Sequence, residues 1–353
     1  MKLITAVAIA SLAIVLITFL HGVKDTRYQY ESFDRTFNND FCNLTDTFDL
    51  KYNSFYIAGS DKEHFYLANS TAPFHLLIVR TAFKDTLSIN VDTRNILNEK
   101  YRAFQVKVCP PYFYLTDGFM PLILSGRITD WALSRALFDS AFFVDIEPMT
   151  PHTFAIKTLS SRTHEHLLGK MNDTVSGVQL VEGLLEKQID GVFCTDGEMH
   201  YDEETGRLVY VYFYRNQYVV MDSDLNLIER GNTIDSISRA RIQVATISSS
   251  GVRTMAAPRL VVNKKSCVSG DLLFVHSNIK ARNESRDAFD KAAAIDVYSL
   301  SSGYRFSFYL PNFEGITLTD MQVSGDYLLA IYDRYVLLYK LMRIAIDVSM
   351  ETQ

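Results

Sequence analysis

Short apolar runs separated by tight polar breaks recur along this chain. In residues 323–341, a Ser-Gly-Asp turn leads into one apolar run, and Asp333-Arg334 separates that run from a second one rich in Tyr, Val and Leu. Two β-prone runs divided by a tight polar break predict a β-hairpin. The same phrase, Val-Ser-Gly-Asp, begins at residue 268 and again at residue 323. This recurrence predicts a repeated sheet architecture.

A second repeat lies in the first third of the chain. Phe-Tyr-Leu at 65–67 is followed by Pro73 and Leu76, and Phe-Tyr-Leu at 113–115 is followed at equal offsets by Pro121 and Leu124. Further hairpins are predicted in residues 153–168, 208–221 and 294–310. Placed in order, the repeat units start near residues 54, 103, 142, 191, 260 and 317. Units of this length, each with room for about four short strands, are typical of the blades of a β-propeller.

Two segments depart from this pattern of short strands. Residues 178–187 have helix-like spacing of apolar positions, which Gly183 weakens. Residues 280–291 are charged and lack β-branched side chains, so they are predicted to be an insertion, either a loop or a short surface helix. Because a propeller must join its first and last blades, residues 48–57 and 335–348 are predicted to share one blade.

Composition supports a sheet protein and narrows its partners. The chain has 20 Tyr and 23 Phe, and 48% of its residues are hydrophobic. Aromatic residues of this kind suit a pleated, half-buried surface. The net charge of -6 is spread along the chain without a Lys/Arg block. Nucleic acid is therefore excluded as a partner.

The N-terminus predicts attachment to a membrane. Residues 3–20 form an uninterrupted run of 18 apolar or small residues, near the lower limit for crossing a bilayer and longer than the core of a signal peptide. No small-x-small cleavage pattern follows the run. The prediction is a single membrane anchor in residues 1–22, a stalk and possible blade-closing strand in 23–53, and an extracytoplasmic (periplasmic) propeller in 54–349. The alternative is a cleaved signal peptide and a secreted protein.

These repeated phrases, with the run at 190–197 and the hairpin strands at 295–300 and 335–341, resemble the six-bladed β-propellers of the NHL- and TolB-like type. In particular they resemble uncharacterised membrane-anchored propeller proteins of the Bacteroidetes. The resemblance implies an all-β fold of six blades. Because no Gly-His…Trp-Asp signature marks each unit, seven blades remain an alternative. A propeller fold does not by itself give a function.

Motifs with a known chemistry are scarce. The sequence has no nucleophile elbow, no phosphate-binding Gly loop and no His-Glu-x-x-His pair, so no catalytic residue and no cofactor are assigned. His164 and His166 could chelate zinc from one strand face, but no third ligand is near and an exposed hairpin is favoured. Asp222-Ser-Asp-Leu-Asn resembles the start of a calcium loop, with Leu227 where glycine is needed. A polar turn is favoured there, and no metal site is predicted.

Several polar groups are candidates for ligand binding at the mouth of the channel. Asp196, Glu198 and His200 lie within five residues, and Arg215-Asn216 interrupts the most apolar run of the chain. A hairpin tip is the favoured interpretation of that interruption, and a group lining the channel is the alternative. Asn263-Lys264 precedes Cys267 near the predicted axis. The ligand-binding candidates are Asp196, His200, Arg215, Asn216, Asn263 and Lys264.

Two hypotheses about function follow. The first is a binding or scaffolding module that presents one face to a protein, a peptide or a small ligand. The alternative is a propeller enzyme, either a lactonase-like hydrolase or a quinone-dependent redox enzyme, with its site at the central channel. An enzyme requires an acid–base or metal cluster that converges on the channel. The four cysteines are predicted to be buried small hydrophobes, with one or two disulfides as the alternative.

Overall fold

The computed structural model describes residue 11 and residues 32–81, 85–94, 104–138, 141–172, 175–247 and 253–342. Apart from Ser11, the predicted anchor at 3–20 lies outside the described residues, as do residues 343–348 of the predicted last strand. Among the residues that are described, none forms a helix of the length and apolar character needed to cross a membrane.

The described residues form six four-stranded antiparallel sheets and one separate hairpin. In chain order the strands are β1 Cys42–Asp49, β2 Phe55–Ser60, β3 His64–Asn69, β4 His75–Arg80, β5 Asp85–Asn90, β6 Gln105–Cys109, β7 Tyr112–Asp117, β8 Leu122–Arg127, β9 Ala132–Phe138, β10 Asp145–Thr150, β11 Thr153–Leu159, β12 His166–Asn172, β13 Val175–Val181, β14 Gly197–Asp202, β15 Arg207–Tyr212, β16 Gln217–Asp222, β17 Leu227–Asn232, β18 Val244–Thr246, β19 Arg253–Met255, β20 Asn263–Ser269, β21 Leu272–Ser277, β22 Ala292–Ser299, β23 Gly303–Pro311, β24 Asp320–Ser324, β25 Tyr327–Tyr332 and β26 Tyr335–Leu341. One short helix, α1 Arg286–Lys291, lies between β21 and β22.

These sheets are the blades of a six-bladed propeller. Blades 1 to 5 are β2–β5, β6–β9, β10–β13, β14–β17 and β20–β23, and blade 6 contains β24, β25, β26 and β1. Their first strands begin at residues 55, 105, 145, 197, 263 and 320, each a few residues after the predicted unit start. Each first strand contacts the first strand of the next blade, and β24 contacts β2. Six blades are therefore confirmed, and the alternative of seven is wrong for the described residues.

Blade 6 closes the ring by joining the two ends of the chain. The N-terminal strand β1 pairs with β26 in an antiparallel register that runs from Cys42 opposite Leu341 to Asp49 opposite Tyr335. The prediction that both ends share a blade is confirmed, but most of the predicted segment 48–57 is wrong. The closing strand stops at Asp49, where its carboxylate accepts a hydrogen bond from the Lys51 amide and Lys51 adopts φ +69°. The chain then turns into β2 of blade 1.

Burial on both faces explains the repeated Phe-Tyr-Leu phrase. In blade 1, Tyr66 packs with blade 2, whereas Phe65 and Leu67 pack with blade 6. All three side chains are at most 2% exposed. A strand that is covered on both sides carries a continuous apolar run instead of an alternating one. The second strand of each blade is therefore the easiest element to detect in the sequence.

The repeated Ser-Gly-Asp phrase is a turn between the first and second strands of a blade. Gly270 in blade 5 has φ +60°, and Gly325 in blade 6 has φ +55°. This left-handed conformation favours glycine because a Cβ atom would be strained there. The interpretation of the phrase as a turn shared by two repeats is confirmed.

Of the two segments without a strand-like pattern, 178–187 begins within a strand and 280–291 contains a short helix. The helix-like spacing at 178–187 is misleading, since β13 continues through Val181 and Gly183 then takes φ +82°. The charged insertion at 280–291 does contain a short helix, α1, whose N-cap Ser285 accepts a hydrogen bond from the Ala288 amide.

All four cysteines are free thiols, and Cys194 and Cys267 are fully buried. The prediction of buried small side chains is therefore confirmed for these two, while Cys42 and Cys109 are half-buried. Burial raises the pKa of the Cys42, Cys109 and Cys267 thiols to about 12. These groups are therefore protonated at neutral pH and weak as nucleophiles.

Candidate functional site

A cavity of about 1220 Å³ lies on the axis of the propeller, lined by the first strands of all six blades. Its mouth is formed by turns that connect first strands to second strands. Side chains and backbone from Asp61, Pro110, Glu203, Ser269 and Asp326 reach this mouth from five blades. A concave space with polar groups converging on it has the usual form of a ligand site.

Polar contacts tie each blade to the next around the cavity. The contacts are the Val106 amide to Tyr56 Oη (2.7 Å), Lys107 Nζ to Glu147 Oε2 (2.7 Å), the Tyr201 amide to Glu147 Oε1 (3.5 Å), Lys265 Nζ to Glu198 Oε1 (2.7 Å), Lys265 Nζ to Asp320 Oδ1 (3.8 Å) and the Ile57 amide to Asp320 Oδ2 (3.1 Å). We refer to these groups as the polar belt. Each of the six junctions has one such contact, so the belt holds the inner strands in a closed ring.

Glu198 is the most heavily engaged carboxylate of the belt. Besides Lys265, it accepts hydrogen bonds from the Ser266 amide (3.0 Å) and the Ser266 hydroxyl (3.2 Å). Burial acts to raise the pKa of Glu198, but Lys265, His200 and these hydrogen bonds outweigh it and hold the pKa below its ordinary value. Burial likewise acts to lower the pKa of Lys265, and Glu198 and Asp320 raise it overall. The pair is charged on both sides at neutral pH.

Two carboxylates that line the cavity, Asp320 of the belt and the neighbouring Asp145, are held less firmly in the charged form than Glu198. Burial raises the pKa of Asp145, against the opposing attraction of Lys107 and Lys157. Burial also raises the pKa of Asp320, against Lys265 and the Ile57 amide. Lys107 has a raised pKa because Glu147 and Asp145 outweigh the effect of its burial. The two lysines of the belt are therefore ammonium groups committed to carboxylates of their neighbours.

His200 contains the one imidazole that faces the cavity among the described residues. Its Nε2 lies 2.7 Å from Ser266 Oγ and 3.8 Å from Glu198 Oε2. Burial lowers the pKa of His200 even though Glu198 and Glu147 oppose it, so the ring is neutral at pH 7. Serine, histidine and a carboxylate are the residue types of a catalytic triad, but a triad needs the carboxylate on Nδ1, opposite the serine. Here both groups approach Nε2, so the arrangement is no charge relay.

The lining of the cavity is strongly acidic. It contains nine carboxylates and three lysines. The carboxylates are Asp61, Asp145, Glu147, Glu198, Asp202, Glu203, Glu204, Asp320 and Asp326, and the lysines are Lys62, Lys107 and Lys265. This excess of six equals the excess of 41 acidic over 35 basic residues in the whole chain. The rest of the sequence is therefore balanced in charge, and the net charge of the protein is concentrated at the cavity.

The structure separates the six predicted binding residues. His200 lines the cavity, and Asp196 accepts a hydrogen bond from the nearly buried Lys157 (2.8 Å). Lys264 is exposed where the register of β20 shifts. None of the other five is among the residues lining the cavity. Ligand binding by Asp196 and Lys264 stays a prediction.

Arg215, Asn216 and Asn263 lie together, away from the cavity. Asn263 Nδ2 donates to the carbonyl oxygens of Tyr212 (2.8 Å) and Arg215 (3.1 Å), and Asn216 Nδ2 donates to the Asp235 carbonyl. The Arg215 guanidinium is fully buried, with its Cζ 3.6 Å from the centre of the Tyr212 ring. The predicted hairpin tip between β15 and β16 is confirmed. These side chains join that tip to β20 and to the segment that follows β17, and their role in ligand binding stays a prediction.

Most of the cavity residues were not anticipated from the sequence. Lys107, Glu147 and Lys265 each stand two residues after the start of the first strand of their blade, and Asp320 opens its strand. One or two charged residues within the first three positions of an otherwise uncharged first strand are a signal that could have identified these four residues. His200 was identified because it lies close to Asp196 and Glu198 in the sequence.

The two candidate metal motifs occupy turns. His164 lies in an exposed turn with φ +54°, whereas His166 starts β12 and is buried, so the two rings do not share a strand face. The prediction that both histidines lie on an exposed hairpin is therefore wrong for His166, which is buried. The Asp222 carboxylate accepts hydrogen bonds from the amides of Asp224 and Asn226, which is the predicted polar turn. Within the described part of the chain, no three His, Cys, Asp or Glu side chains are placed to hold a metal ion.

Comparison with known proteins reveals similarity of fold only. No protein-family model matches the sequence, and no curated protein matches it. A solved member of the DUF4221 family from Bacteroides vulgatus is 11% identical to this chain and superposes on it with a TM-score of 0.53. The match covers 86% of this chain and 99% of the Bacteroides chain. A catalytically inactive virginiamycin B lyase from Staphylococcus aureus, solved with quinupristin, is 9% identical over 85% of this chain and 100% of its own, with a TM-score of 0.48. The predicted six-bladed β-propeller fold is confirmed.

Proposed function

We propose that this propeller is a binding module whose central cavity takes a positively charged ligand. The observation that carries the proposal is the concentration of the entire net charge of the chain in the cavity lining. A concave site lined by one sign of charge focuses the field and raises the local concentration of counter-charged ligands. An organic amine, or the Lys or Arg side chain of a peptide, has the required charge.

The arrangement of charge within the cavity favours entry of a cation at the mouth. Lys107 and Lys265 lie in the belt, where Glu147 and Glu198 pair with them. Exposed carboxylates stand at the mouth, including Glu203 and Glu204 of the turn after β14. The half-buried rings of Tyr201 and Tyr327 also line the cavity, and aromatic faces attract ammonium and guanidinium groups.

The geometry at His200 favours binding over acyl transfer. An enzyme of the hydrolase type needs a nucleophile activated by a base that a third group orients. Ser266 is only 5% exposed, and its hydroxyl is shared between His200 and Glu198. These contacts give Ser266 a role in joining blade 4 to blade 5.

A titration with spermidine tests the charge of the ligand. Replacement of Glu203 and Glu204 by glutamine is expected to weaken spermidine binding by about fivefold, since each exposed ion pair contributes up to about 1 kcal/mol. Isothermal titration calorimetry at low salt measures the dissociation constant, and added NaCl should weaken it further. A control with the same change of charge is Asp287→Asn with Asp290→Asn in α1, whose carboxylates pair with Lys291 and Arg286 away from the cavity. The cation site would be ruled out if both double variants lost the same amount of affinity for spermidine, or if the natural protein did not bind spermidine.

We also propose that residues 3–20 anchor the chain in a membrane with the propeller outside the cytoplasm. The support is the uninterrupted apolar run of 18 residues. Protease added to intact spheroplasts that express the full chain is expected to degrade the propeller. Degradation that occurs only after lysis would overturn the location. A soluble mature chain that starts beyond residue 22 would instead establish the cleaved signal peptide.

A further inference from the structure

An apolar groove adjoins the mouth of the cavity between blades 5 and 6. It encloses about 430 Å³. Its apolar lining is Phe41, Leu272, Phe274, Val323, Leu341 and Met342. Four residues line both the groove and the cavity, namely Ser269, Val323, Gly325 and Asp326. The groove and the cavity are therefore neighbouring compartments that meet at the Ser-Gly-Asp turn of blade 6.

The groove extends from the axis toward the rim of the propeller. Ser269 and Val323 belong to β20 and β24, the first strands of their blades. Arg305 belongs to β23, the outermost strand of blade 5, and Met342 follows β26. Arg305 is exposed and makes no salt bridge with any of the described residues. The groove also contains the Asp271 carboxylate, which pairs with Arg207 (3.0 Å) and accepts hydrogen bonds from the Ser299 and Ser301 hydroxyls. Arg305 is the one basic residue among the described residues that line the groove, so the lining passes from carboxylates at the axis to apolar side chains and Arg305 toward the rim.

We propose that the groove and the cavity form one composite site for the C-terminal end of a peptide. A Lys or Arg of the peptide occupies the acidic mouth, a large apolar side chain at its C-terminus occupies the groove, and the terminal carboxylate lies at Arg305. This inference rests on the proposed binding of a cation in the cavity. Complementary charge at both ends fixes the direction of the peptide as well as its position.

A peptide fits this arrangement better than a simple amine does. A polyamine carries positive charge along its whole length, so Arg305 repels its outer end and the apolar lining gains no apolar partner. An extended peptide advances about 3.3 Å per residue, so side chains two positions apart can reach adjacent compartments. Capture of a free C-terminal carboxylate is a known mode of peptide recognition, and an arginine side chain binds a carboxylate through charge-assisted hydrogen bonds.

The test uses synthetic Gly-Gly-Lys-Gly-Leu with a free C-terminus and the natural protein. Changing the terminal Leu to Ala is expected to weaken binding at least about tenfold, because the groove loses its apolar contact. Amidation of the peptide C-terminus is expected to weaken its binding to the natural protein about threefold. In Arg305→Gln, amidation is expected to leave the affinity unchanged. This double-mutant cycle identifies Arg305 as the partner of the terminal carboxylate. The control is Arg253→Gln, an exposed arginine in β19 far along the chain from the groove, in which amidation should still cost threefold.

The results separate this inference from the proposed function. If the Leu-to-Ala and amidated peptides bind as tightly as the parent while replacement of Lys by norleucine abolishes binding, the composite site is wrong and the cation cavity stands. If neither spermidine nor any Lys peptide binds, both are wrong. The composite site is established if three changes of the peptide each weaken binding, namely Leu to Ala, Lys to norleucine and amidation of the C-terminus. The effect of amidation must also be confined to proteins that retain Arg305.

Discussion

Replacement of Arg35 by alanine is expected to lower the free energy of unfolding by about 3–5 kcal/mol. The Arg35 guanidinium is fully buried and donates to Asp296 through Nε (2.7 Å) and Nη2 (2.9 Å). Its Nη1 contacts Glu284 and donates to the Ile279 carbonyl (3.0 Å). Both carboxylates are buried, so the substitution leaves two desolvated negative charges without their counter-ion. Urea denaturation followed by circular dichroism measures the loss.

Arg282→Ala provides the matched control. Arg282 pairs with Asp34 in the same N-terminal segment, but both side chains are substantially exposed. An exposed pair of this kind contributes at most about 1 kcal/mol. The expectation for Arg35 is wrong if the two alanine variants lose similar stability. A large loss of stability for the Arg35 variant alone shows that Arg35 fixes the described segment before β1 to blade 5.

The fold was predictable because its strongest signals are local. Phe65, Tyr66 and Leu67 are covered by blades on both sides, so their segment is apolar without alternation and recurs as a recognisable phrase. Gly270 and Gly325 mark turns through a backbone conformation that other residues adopt at a cost. The bounds of the strand that closes the ring were predicted less accurately, because β1 ends at a turn formed by Asp49 and Lys51. A short polar segment next to a strand does not by itself show which residue pairs last.

The site was predicted less completely because its contacts join distant parts of the chain. Lys265 meets Glu198 and Lys107 meets Glu147 only after neighbouring blades have formed. Sequence proximity identified His200 and missed its partner Ser266, which belongs to the next blade. Asn263 illustrates the opposite error. A buried amide that binds two backbone carbonyls has the same sequence signature as one that lines a channel.

The partners of Arg35 show the same limit more sharply. Arg35 and Asp296 are 261 positions apart, and nothing near either residue indicates a buried ion pair. Two groups of polar side chains in this protein therefore look alike in the sequence, and only the folded ring distinguishes them. Arg35, Arg215 and Asn263 are buried and satisfy backbone or carboxylate groups, while the residues of the polar belt and the mouth face the cavity. The proposed binding site belongs to the second group.

His276 is expected to make the protein lose stability as the pH falls from 7 to 4.5. Its ring lies in β21 and is 4% exposed, and Nδ1 has no hydrogen-bond partner among the described residues. Burial lowers the pKa of His276 to about 3, and the positive charges of Lys264 and Arg35 add to this effect. In the unfolded chain the imidazole titrates near its ordinary pKa of about 6.5. Between these two values the unfolded state binds the additional proton, so stability declines with falling pH throughout this window.

The size of the His276 effect follows from the same two pKa values. Between pH 7 and pH 4.5 the group contributes a loss of about 2.5 kcal/mol, which His276→Phe should remove from the pH dependence measured by urea denaturation. His276→Gln gives a second test if the aromatic replacement does not pack. The control His152→Gln changes an exposed histidine and should retain the full slope of the natural protein. Because the carboxylates titrate in every variant, the deciding quantity is the difference in slope between each variant and the natural protein. Equal slopes for His276→Phe and the natural protein would show that the ring is protonated within the fold.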